Sequence, residues 1–257
     1  MIILTGAKGF IGCNFKKRLQ DVIEVDISNS YDFLNSFSEW NKVSLIIHQG
    51  AISSTTEKNL RVLYDYNVLF TLRLFELAIQ HKIPVKYASS ASVYGNKNSI
   101  NPLNQYAISK LQIDYHVMDH INDFKHIQGF RYFNVYGEGE EDKGDQASPV
   151  SKFTKQIKET GKLKLFEGSE SFHRDFICVD DVVEIVLNNK KPSGIYDLGC
   201  GVPVSFKHVA QCVVNRYGGN IEHIPFPDHL KDKYQLYTCA NKEWGDYKFI
   251  TVKEYLK

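Results

Sequence analysis

Charge of one sign is the first thing this 257-residue sequence lacks: 31 Lys and Arg stand against 30 Asp and Glu, a formal net charge of +1. Such a balance supplies no field that attracts phosphate backbones over a distance, and the basic residues form no concentrated patch. Nucleic acid is therefore not expected as a partner. Long apolar runs are also missing. No stretch approaches the ~20 residues needed to span a bilayer, and Met1-Ile2-Ile3-Leu4 leads straight into a glycine turn with no basic leader or small-residue cleavage site. The chain is expected to be neither secreted nor membrane-spanning. Paired cysteines are absent too: Cys13, Cys178, Cys200, Cys212 and Cys239 are odd in number, scattered and never spaced C-x-x-C. That usage points to free thiols in a reducing compartment, the cytoplasm. Neither an internal repeat nor a low-complexity segment is visible.

What is present is the balance of a soluble globular protein, with 43% hydrophobic and 24% charged residues. At this length a fold buries about 70 to 75% of its unfolded surface, enough for one large domain or a domain with a lobe. No metal or disulfide staple is needed.

The first half alternates short apolar runs with longer amphipathic stretches: Ile2 to Thr5, Phe10 to Leu19, Val22 to Asp26, Val43 to His48, Val62 to Gln80 and Val85 to Ser89. This order predicts βαβ units and an α/β Rossmann-type, doubly wound parallel sheet. Further strands are predicted at Gly129 to Phe133 and Gly194 to Leu198, and a helix at Ser109 to His120. Only about 17 residues, Ile27 to Val43, separate the second run from the next strong one. That is short for two crossovers, so a strand and its helix are expected to be cut down there. After Gly137 the texture turns to Glu, Asp, Lys and Gly, and from Gly199 to Pro, Gly and Tyr punctuation. The expected division is a dinucleotide-binding domain over 1–136 and 172–199 with a small discontinuous C-terminal substrate lobe over 137–171 and 200–257. Asp180-Asp181 can begin a helix through Val182, Val183, Ile185, Val186 and Leu187 that returns to the first domain.

Thr5-Gly6-Ala7-Lys8-Gly9-Phe10-Ile11-Gly12 follows an apolar strand and opens a helix. Glycines there allow a tight turn and a close backbone approach to a pyrophosphate. Asp26 lies at the end of the next strand, about 20 residues on, where an acid accepts hydrogen bonds from both adenosine ribose hydroxyls. By itself Asp26 favours NAD over NADP. Lys8, just before the second glycine, could approach a 2'-phosphate, so the choice stays open.

Tyr106 and Lys110 stand in Tyr-Ala-Ile-Ser-Lys, an i, i+4 spacing that puts both on one helical face. A phenol titrating near 10 becomes a useful acid/base at neutral pH when an adjacent cation stabilises its phenolate. Ser90, in Ser89-Ser90-Ala91-Ser92-Val93-Tyr94-Gly95, ends an apolar strand, where ligands bind in such sheets, and its hydroxyl could bond the reacting oxygen. His116 and His120 are four apart on the same helix, yet no Glu or Cys partner has matching spacing, and no metal is predicted. Tyr94, Tyr132, Phe133 and Tyr136 lie in strand-end motifs and are read as core or pocket walls rather than base-stacking rings.

Together the glycine fingerprint, the serine-rich strand end and Y-x-x-x-K resemble the extended short-chain dehydrogenase/reductase superfamily over essentially the whole chain. Further segments resemble its heptose 6-epimerase branch, whose members act on ADP-L-glycero-D-manno-heptose. They are His48-Gln49-Gly50-Ala51 with Ser53-Ser54-Thr55-Thr56-Glu57, Arg131-Tyr132-Phe133-Asn134-Val135-Tyr136-Gly137, Lys143-Gly144, Phe166-Glu167-Gly168-Ser169-Glu170, Arg174-Asp175-Phe176 and Ile224-Pro225-Phe226-Pro227-Asp228. The resemblance implies an NADP-using isomerase that removes hydride from C6 of the sugar, lets the ketone turn and returns hydride to the other face. Its product would serve the heptose part of bacterial surface polysaccharide, the lipopolysaccharide core. The reacting oxygen then occupies two positions, so two acid/base groups are useful; by resemblance these are Tyr106 and Lys143.

The resemblance also places Gln49, Gly50, Ala51, Ser53, Asn67 and Val135 at the cofactor. Ser90, Asn134, Phe166, Glu167, Gly168, Ser169, Arg174 and Tyr234 go to the substrate, an ADP-sugar or another nucleotide sugar. Arg174 is a planar fork suited to a diphosphate. Asp145 and Lys152 occupy substrate positions where the family has a small hydroxyl and often His. A homo-oligomer, a pentamer, is implied by the same likeness. Rival readings are another nucleotide-sugar epimerase, reductase or 4,6-dehydratase, and a non-catalytic NAD(P)-binding sensor or scaffold on the same fold. A dehydratase would carry Asp-Glu after a Thr in place of Ser90-Ala91-Ser92. Compression after Asp26, between Gly95 and Pro102, and in the C-terminal region sets this chain apart from its family.

Overall fold

Short β-branched runs followed by helical periods set the element order of the computed structural model, which describes residues 1–96, 99–228 and 235–257. The first ten elements are β1 (Ile2–Thr5), α1 (Phe10–Lys16), β2 (Val22–Val25), α2 (Ser30–Ser36), β3 (Leu45–His48), α3 (Leu60–Leu63), α4 (Phe70–Gln80), β4 (Val85–Ser90), α5 (Gln105–Asp119) and β5 (Ile127–Tyr132). Then come β6 (Asn134–Tyr136), α6 (Pro149–Thr160), β7 (Lys162–Phe166), β8 (His173–Arg174), β9 (Phe176–Cys178), α7 (Val179–Asn188), β10 (Gly194–Leu198), β11 (Val204–Ser205), α8 (Phe206–Tyr217), β12 (Asn220–Ile224) and α9 (Val252–Tyr255). The chain divides into two compact units. One is Met1–Val93, Pro102–Arg131 and Val183–Tyr196; the other is Tyr94–Asn101, Tyr132–Val182 and Asp197–Lys257.

Six strands form a sheet in the order β10-β5-β4-β3-β1-β2, with β1 parallel to both β2 and β3, and β3 parallel to β4. This is the doubly wound arrangement with one difference: the usual order carries a further strand outside the second. Among the described residues, the segment between β2 and β3 adds only α2 and a 3-10 turn at Trp40–Lys42, which leaves β2 as the margin. Aromatics compensate for the lost strand. Phe33 stacks on Phe37 with centroids 4.9 Å apart, Trp40 meets Phe37 edge-on at 5.0 Å, and the group packs with Leu34, Leu74 and Phe75 in one core.

In the second unit α6 and α8 lay Val150, Phe153, Ile157, Val209 and Val213 into a separate core with Leu163 and Leu165 of β7. Each helix start follows from its cap: the Ser148 hydroxyl accepts from Ser151 N–H at 3.3 Å with Pro149 next in line, and Ser205 accepts from His208 N–H at 3.1 Å. β7 and β12 pair in parallel, as do β6 and β9 in the register Asn134↔Phe176, Val135↔Ile177 and Tyr136↔Cys178. That pairing joins Tyr132–Val182 to the second unit, whose limits thereby fall outside the 137–171 segment drawn from the sequence texture.

Residues 238–250 are held chiefly by three buried carboxylates of this unit. Asp175 accepts from the backbone N–H groups of Cys200 (2.7 Å), Gly201 (2.8 Å) and Ala240 (2.9 Å). Asp197 accepts from the Tyr94 phenol at 2.6 Å and from Asn241 N–H and Nδ2 at 3.1 and 2.9 Å. Asp181 accepts from the Tyr247 phenol and Ile250 N–H at 2.9 and 2.8 Å. Burial pushes the carboxyls of Asp175 and Asp181 up, and these hydrogen bonds oppose the rise. Tyr132, Phe133 and Tyr136 are buried, which leaves no ring face for stacking on a base.

Candidate active site

The glycine loop closes as tightly as its residue types allow. Gly6 has φ +67°, and a Cβ there would stand 2.7 Å from Gly50 N; a Cβ at Gly12 would stand 1.9 Å from Gly6 O. Gly6, Gly12 and Gly50 thus bring the ends of β1 and β3 against the start of α1, with Gly50 N–H donating to Thr5 Oγ1 at 2.9 Å. Asp26, just past β2, reaches the same loop: its Oδ1 accepts from the Lys8 backbone N–H at 3.2 Å. The Lys8 residue is exposed. A glycine-rich cradle with an acid at its edge fits a dinucleotide, the pyrophosphate over the glycines and a ribose at Asp26. Phe10 is buried and Ile11 half-buried in the first turn of α1, where they hold the helix to the core.

Gln49, Gly50 and Ala51 continue from β3 as half-buried residues, and Ser53 is exposed. Asn67 is buried in a π-helical turn, Tyr64–Leu69, a distortion often found at functional sites. Its amide is committed locally. Oδ1 accepts from Ile52 N–H at 2.7 Å, and Nδ2 donates to Ile52 O and to the Ser109 hydroxyl at 3.0 Å each. Asn67 therefore fixes the loop after β3 to α5 between Tyr106 and Lys110. His48, fully buried between the hydroxyls of Thr5 (2.6 Å) and Thr71 (2.8 Å), is kept neutral by burial, which pushes it down to about 3.

Ser90, Tyr106 and Lys110 come together in the first unit. Asn104 caps α5 by accepting from Ala107 N–H at 2.9 Å, which starts the helix one residue before Tyr106. The Tyr106 phenol and the Ser90 hydroxyl are hydrogen-bonded; burial raises the phenol and this bond opposes the rise. Lys110 is buried and donates from Nζ to the Ala88 carbonyl at 2.8 Å. Burial pushes its ammonium down to about 8, with Asp114 pulling the other way. Beside Ser90 the hydroxyls of Ser89 and Ser92 are buried and have no hydrogen-bond partner among the described residues. The set can hold an alcohol oxygen by one hydroxyl and exchange its proton with another that has a cation near it.

The second unit carries the remaining predicted residues. Lys143 is half-buried in a 3-10 turn, Glu141–Gln146, where burial lowers its ammonium and Glu140 opposes that. Glu140 is the residue sequence reasoning missed: buried, it accepts from Ser148 N–H and Oγ at 2.5 and 2.7 Å. It ties the turn that holds Lys143 to the start of α6. Only its place among Glu138, Glu140 and Glu141 signals it, and that run reads as solvated surface. Lys152 stands in the first turn of α6. Asn134 and Val135 are half-buried on β6. Phe166 ends β7 and meets Phe226 edge-on at 5.3 Å; Glu167 and Gly168 are exposed in the following turn, and Ser169 is buried, its hydroxyl without a partner among the described residues. Arg174 is buried on β8 with its guanidinium 5.8 Å from the Phe206 ring, while the neighbouring Asp175 carboxylate is taken by three backbone amides. The side chain of Asp145 and all of Tyr234 lie outside the described residues.

The rings of His116 and His120 lie 4.6 Å apart, His120 bonding Asp123 at 2.9 Å, and among the described residues no group of three or more His, Cys, Asp or Glu could hold a metal ion. The five cysteines are free. Among the described residues no helix is long and apolar enough to cross a membrane.

Comparison with known proteins accords with this geometry. Residues 2–199 match the NAD dependent epimerase/dehydratase family. The chain is 38% identical to an ADP-L-glycero-D-manno-heptose-6-epimerase of Alkalilimnicola ehrlichii over 285 residues, covering 94% of this chain and 89% of the relative. It is 39% identical to the protein of that name from Brachyspira hyodysenteriae, with the same coverage. The first alignment is longer than the chain itself, so that relative has insertions where this chain is short. The crystal structure of the Helicobacter pylori ADP-L-glycero-D-manno-heptose-6-epimerase is 30% identical, covers 88% of this chain and 84% of its own, and superposes with a TM-score of 0.77. A UDP-glucose 4-epimerase from Thermotoga maritima has a TM-score of 0.85 at 19% identity, which shows a common fold. With a glycine cradle, a Ser-Tyr-Lys set and relatives of this kind, the chain belongs to the NAD-dependent epimerase/dehydratase family.

Proposed function

We propose that this chain interconverts the C6 epimers of ADP-glycero-manno-heptose by removing hydride from C6 and returning it to the opposite face. The observation that carries the reading is the Ser90, Tyr106 and Lys110 set in one unit, in a chain 38–39% identical to proteins named for that reaction. A bound NAD or NADP supplies the hydride acceptor and donor. Ser90 holds the alcohol oxygen, Tyr106 takes its proton, and Lys110 steadies the phenolate from one helical turn away. Lys143 is proposed as the acid/base for the oxygen's second position, with Glu140 holding its turn in place.

For the substrate, Arg174 is proposed to take the diphosphate as a planar fork, with Asn134, Lys152, Phe166, Glu167, Gly168 and Ser169 around the nucleotide sugar. Asp26 supports NAD, and Lys8 leaves NADP open. Leu60, Tyr64, Ile108, Tyr115 and Met118 are exposed apolar residues of two neighbouring helices; they support self-association, a pentamer by likeness to the family. A cytoplasmic setting is proposed on the free thiols.

Changing Tyr106 to Phe tests the assignment. NAD binding by calorimetry is expected to be retained, while turnover of ADP-heptose, followed by NMR of the C6 stereochemistry, falls by orders of magnitude. Inversion at C6 without solvent deuterium entering the sugar is the expected product. Deuterium at a ring carbon beside a ketone, or a Y106F variant as active as the parent, would refute direct hydride return through this set.

A further inference from the structure

One turn further along the Tyr106 and Lys110 face of α5 lies a second cluster with no place in the proton and hydride steps above. Asp114 stands one helical turn beyond Lys110 and is fully buried. Its Oδ1 accepts from the Tyr87 phenol of β4 at 3.0 Å, and its Oδ2 accepts from Arg131 Nε of β5 at 2.8 Å. Space for that phenol depends on Gly129 of β5, where a Cβ would fall 2.4 Å from the Tyr87 ring. Two strands and a helix thus converge to hold one carboxylate out of water, a costly arrangement for stability alone.

The position of the cluster suggests what the cost secures. Residues four apart on a helix have Cβ atoms about 5–6 Å apart. Between buried groups a charge acts with little screening, so the Asp114 carboxylate favours the protonated form of Lys110. The other groups around Lys110 are Tyr106 on the same helix, the Ala88 carbonyl of β4 and His48 of β3. His48 is neutral, and Tyr87 carries no charge while its phenol donates to Asp114. Asp114 and Arg131 are therefore the charges in this set that can bias it, and they act in opposite directions. Arg131 is 16% exposed while Asp114 is not exposed at all, so the pair does not cancel fully at Lys110.

We propose that Asp114 is a positioning residue that keeps Lys110 cationic beside Tyr106, with Arg131 limiting how strongly it does so. The role in turnover rests on the acid/base reading of Tyr106; the effect on Lys110 does not. It can be measured in the protein without cofactor or substrate by NMR titration of isotope-labelled lysine side chains, with the Lys110 signal identified by its loss in K110R. D114N is expected to lower the Lys110 midpoint by about one pH unit, and D114E to restore it. R131M, which leaves the carboxylate unopposed, is expected to raise it. Y87F keeps both charges and is expected to leave the midpoint in place while destabilising the fold. General loosening would hydrate Lys110 and raise its midpoint, since burial is what lowers it, so the D114N shift is opposite to it in sign. Should D114N fail to fold, R131K beside R131M carries the test, because R131K keeps the charge and is expected to leave the midpoint in place, and an equal rise in both overturns the proposal.

A midpoint unmoved in D114N, or lowered in R131M, overturns the proposal. In turnover of ADP-heptose, the acid limb of kcat/KM is expected to move to higher pH in D114N and to lower pH in R131M, since a less cationic Lys110 leaves the phenolate harder to form. A shifted lysine midpoint with an unshifted kcat/KM profile upholds the effect of Asp114 on Lys110 and refutes the role given to Tyr106.

Discussion

Alanine scanning of the three loop glycines separates their roles by geometry. At Gly12 an added methyl would sit 1.9 Å from Gly6 O, 2.7 Å from Gly6 C and 3.0 Å from Ala7 Cα. All three neighbours are main-chain atoms that cannot rotate away, so the loop must move by more than an ångström. Overpacking of this kind costs about 3 kcal/mol or more. At Gly6 the φ of +67° adds strain of about 1–2 kcal/mol for an L side chain to a contact 2.7 Å from Gly50 N. At Gly9, where φ is −76° and the methyl would meet only Gly6 O at 3.3 Å, the change stays within about 1 kcal/mol, since lost unfolded-state freedom offsets the tight contact. Urea midpoints are expected in the order Gly9→Ala, Gly6→Ala, Gly12→Ala from most to least stable. NAD affinity by calorimetry follows the same order, falling about tenfold for each 1.4 kcal/mol lost at the cradle. A Gly12→Ala protein as stable and as tight for NAD as Gly9→Ala would refute the claim that main-chain closure at this loop makes the cofactor site.

Asp175→Asn replaces a carboxylate that accepts from three amides with a group offering one acceptor oxygen, and is expected to cost about 2–3 kcal/mol. Hydrogen exchange should quicken at Ala240, Cys200 and Gly201, and unchanged protection there would count against the clasp. Phe226→Ala removes ring contacts of 5.3 Å to both Phe166 and Phe172 and is expected to cost about 2 kcal/mol, read from the urea midpoint. His48 refuses a proton in the folded state, titrating near 3, that the unfolded chain accepts at its ordinary 6.5. Its contribution is complete above pH 6.5 and falls as pH drops toward 3, by about 1.4 kcal/mol per unit. Urea midpoints of wild type and His48→Gln between pH 4 and 7 should converge with that slope; parallel lines would show that the ring is not held neutral.

Features whose geometry is set within one strand, turn or helix were legible from residue types alone. The glycine loop needs only its own spacing, and Tyr106 and Lys110 need only one helical turn. Groups whose environment is made by distant chain were not. Asp175 and Ala240 are separated by 65 positions, and Asn67 and Ser109 by 42, so nothing near Asp175 or Asn67 marks them as clasps. Glu140 and Asp114 illustrate the same limit, because an acid bound for the interior is the same letter as one on the surface. The short interval after Asp26 signalled that something was missing. That the strand is gone and a shortened α2 remains depends on Phe33, Phe37 and Trp40 closing over one another, which spacing does not specify.

The segment over 238–250 owes its path to acids rooted in three separate places: after β8, in α7 and in β10. Moorings of this kind grip the main-chain amides of Ala240, Asn241 and Ile250 together with the side chains of Asn241 and Tyr247, so only the segment's side chains outside such bonds are free to drift in evolution. Its length is not. Inserting or deleting a single residue would slide amides off their acids and strand desolvated negative charge, so this stretch should tolerate rewording far better than resizing.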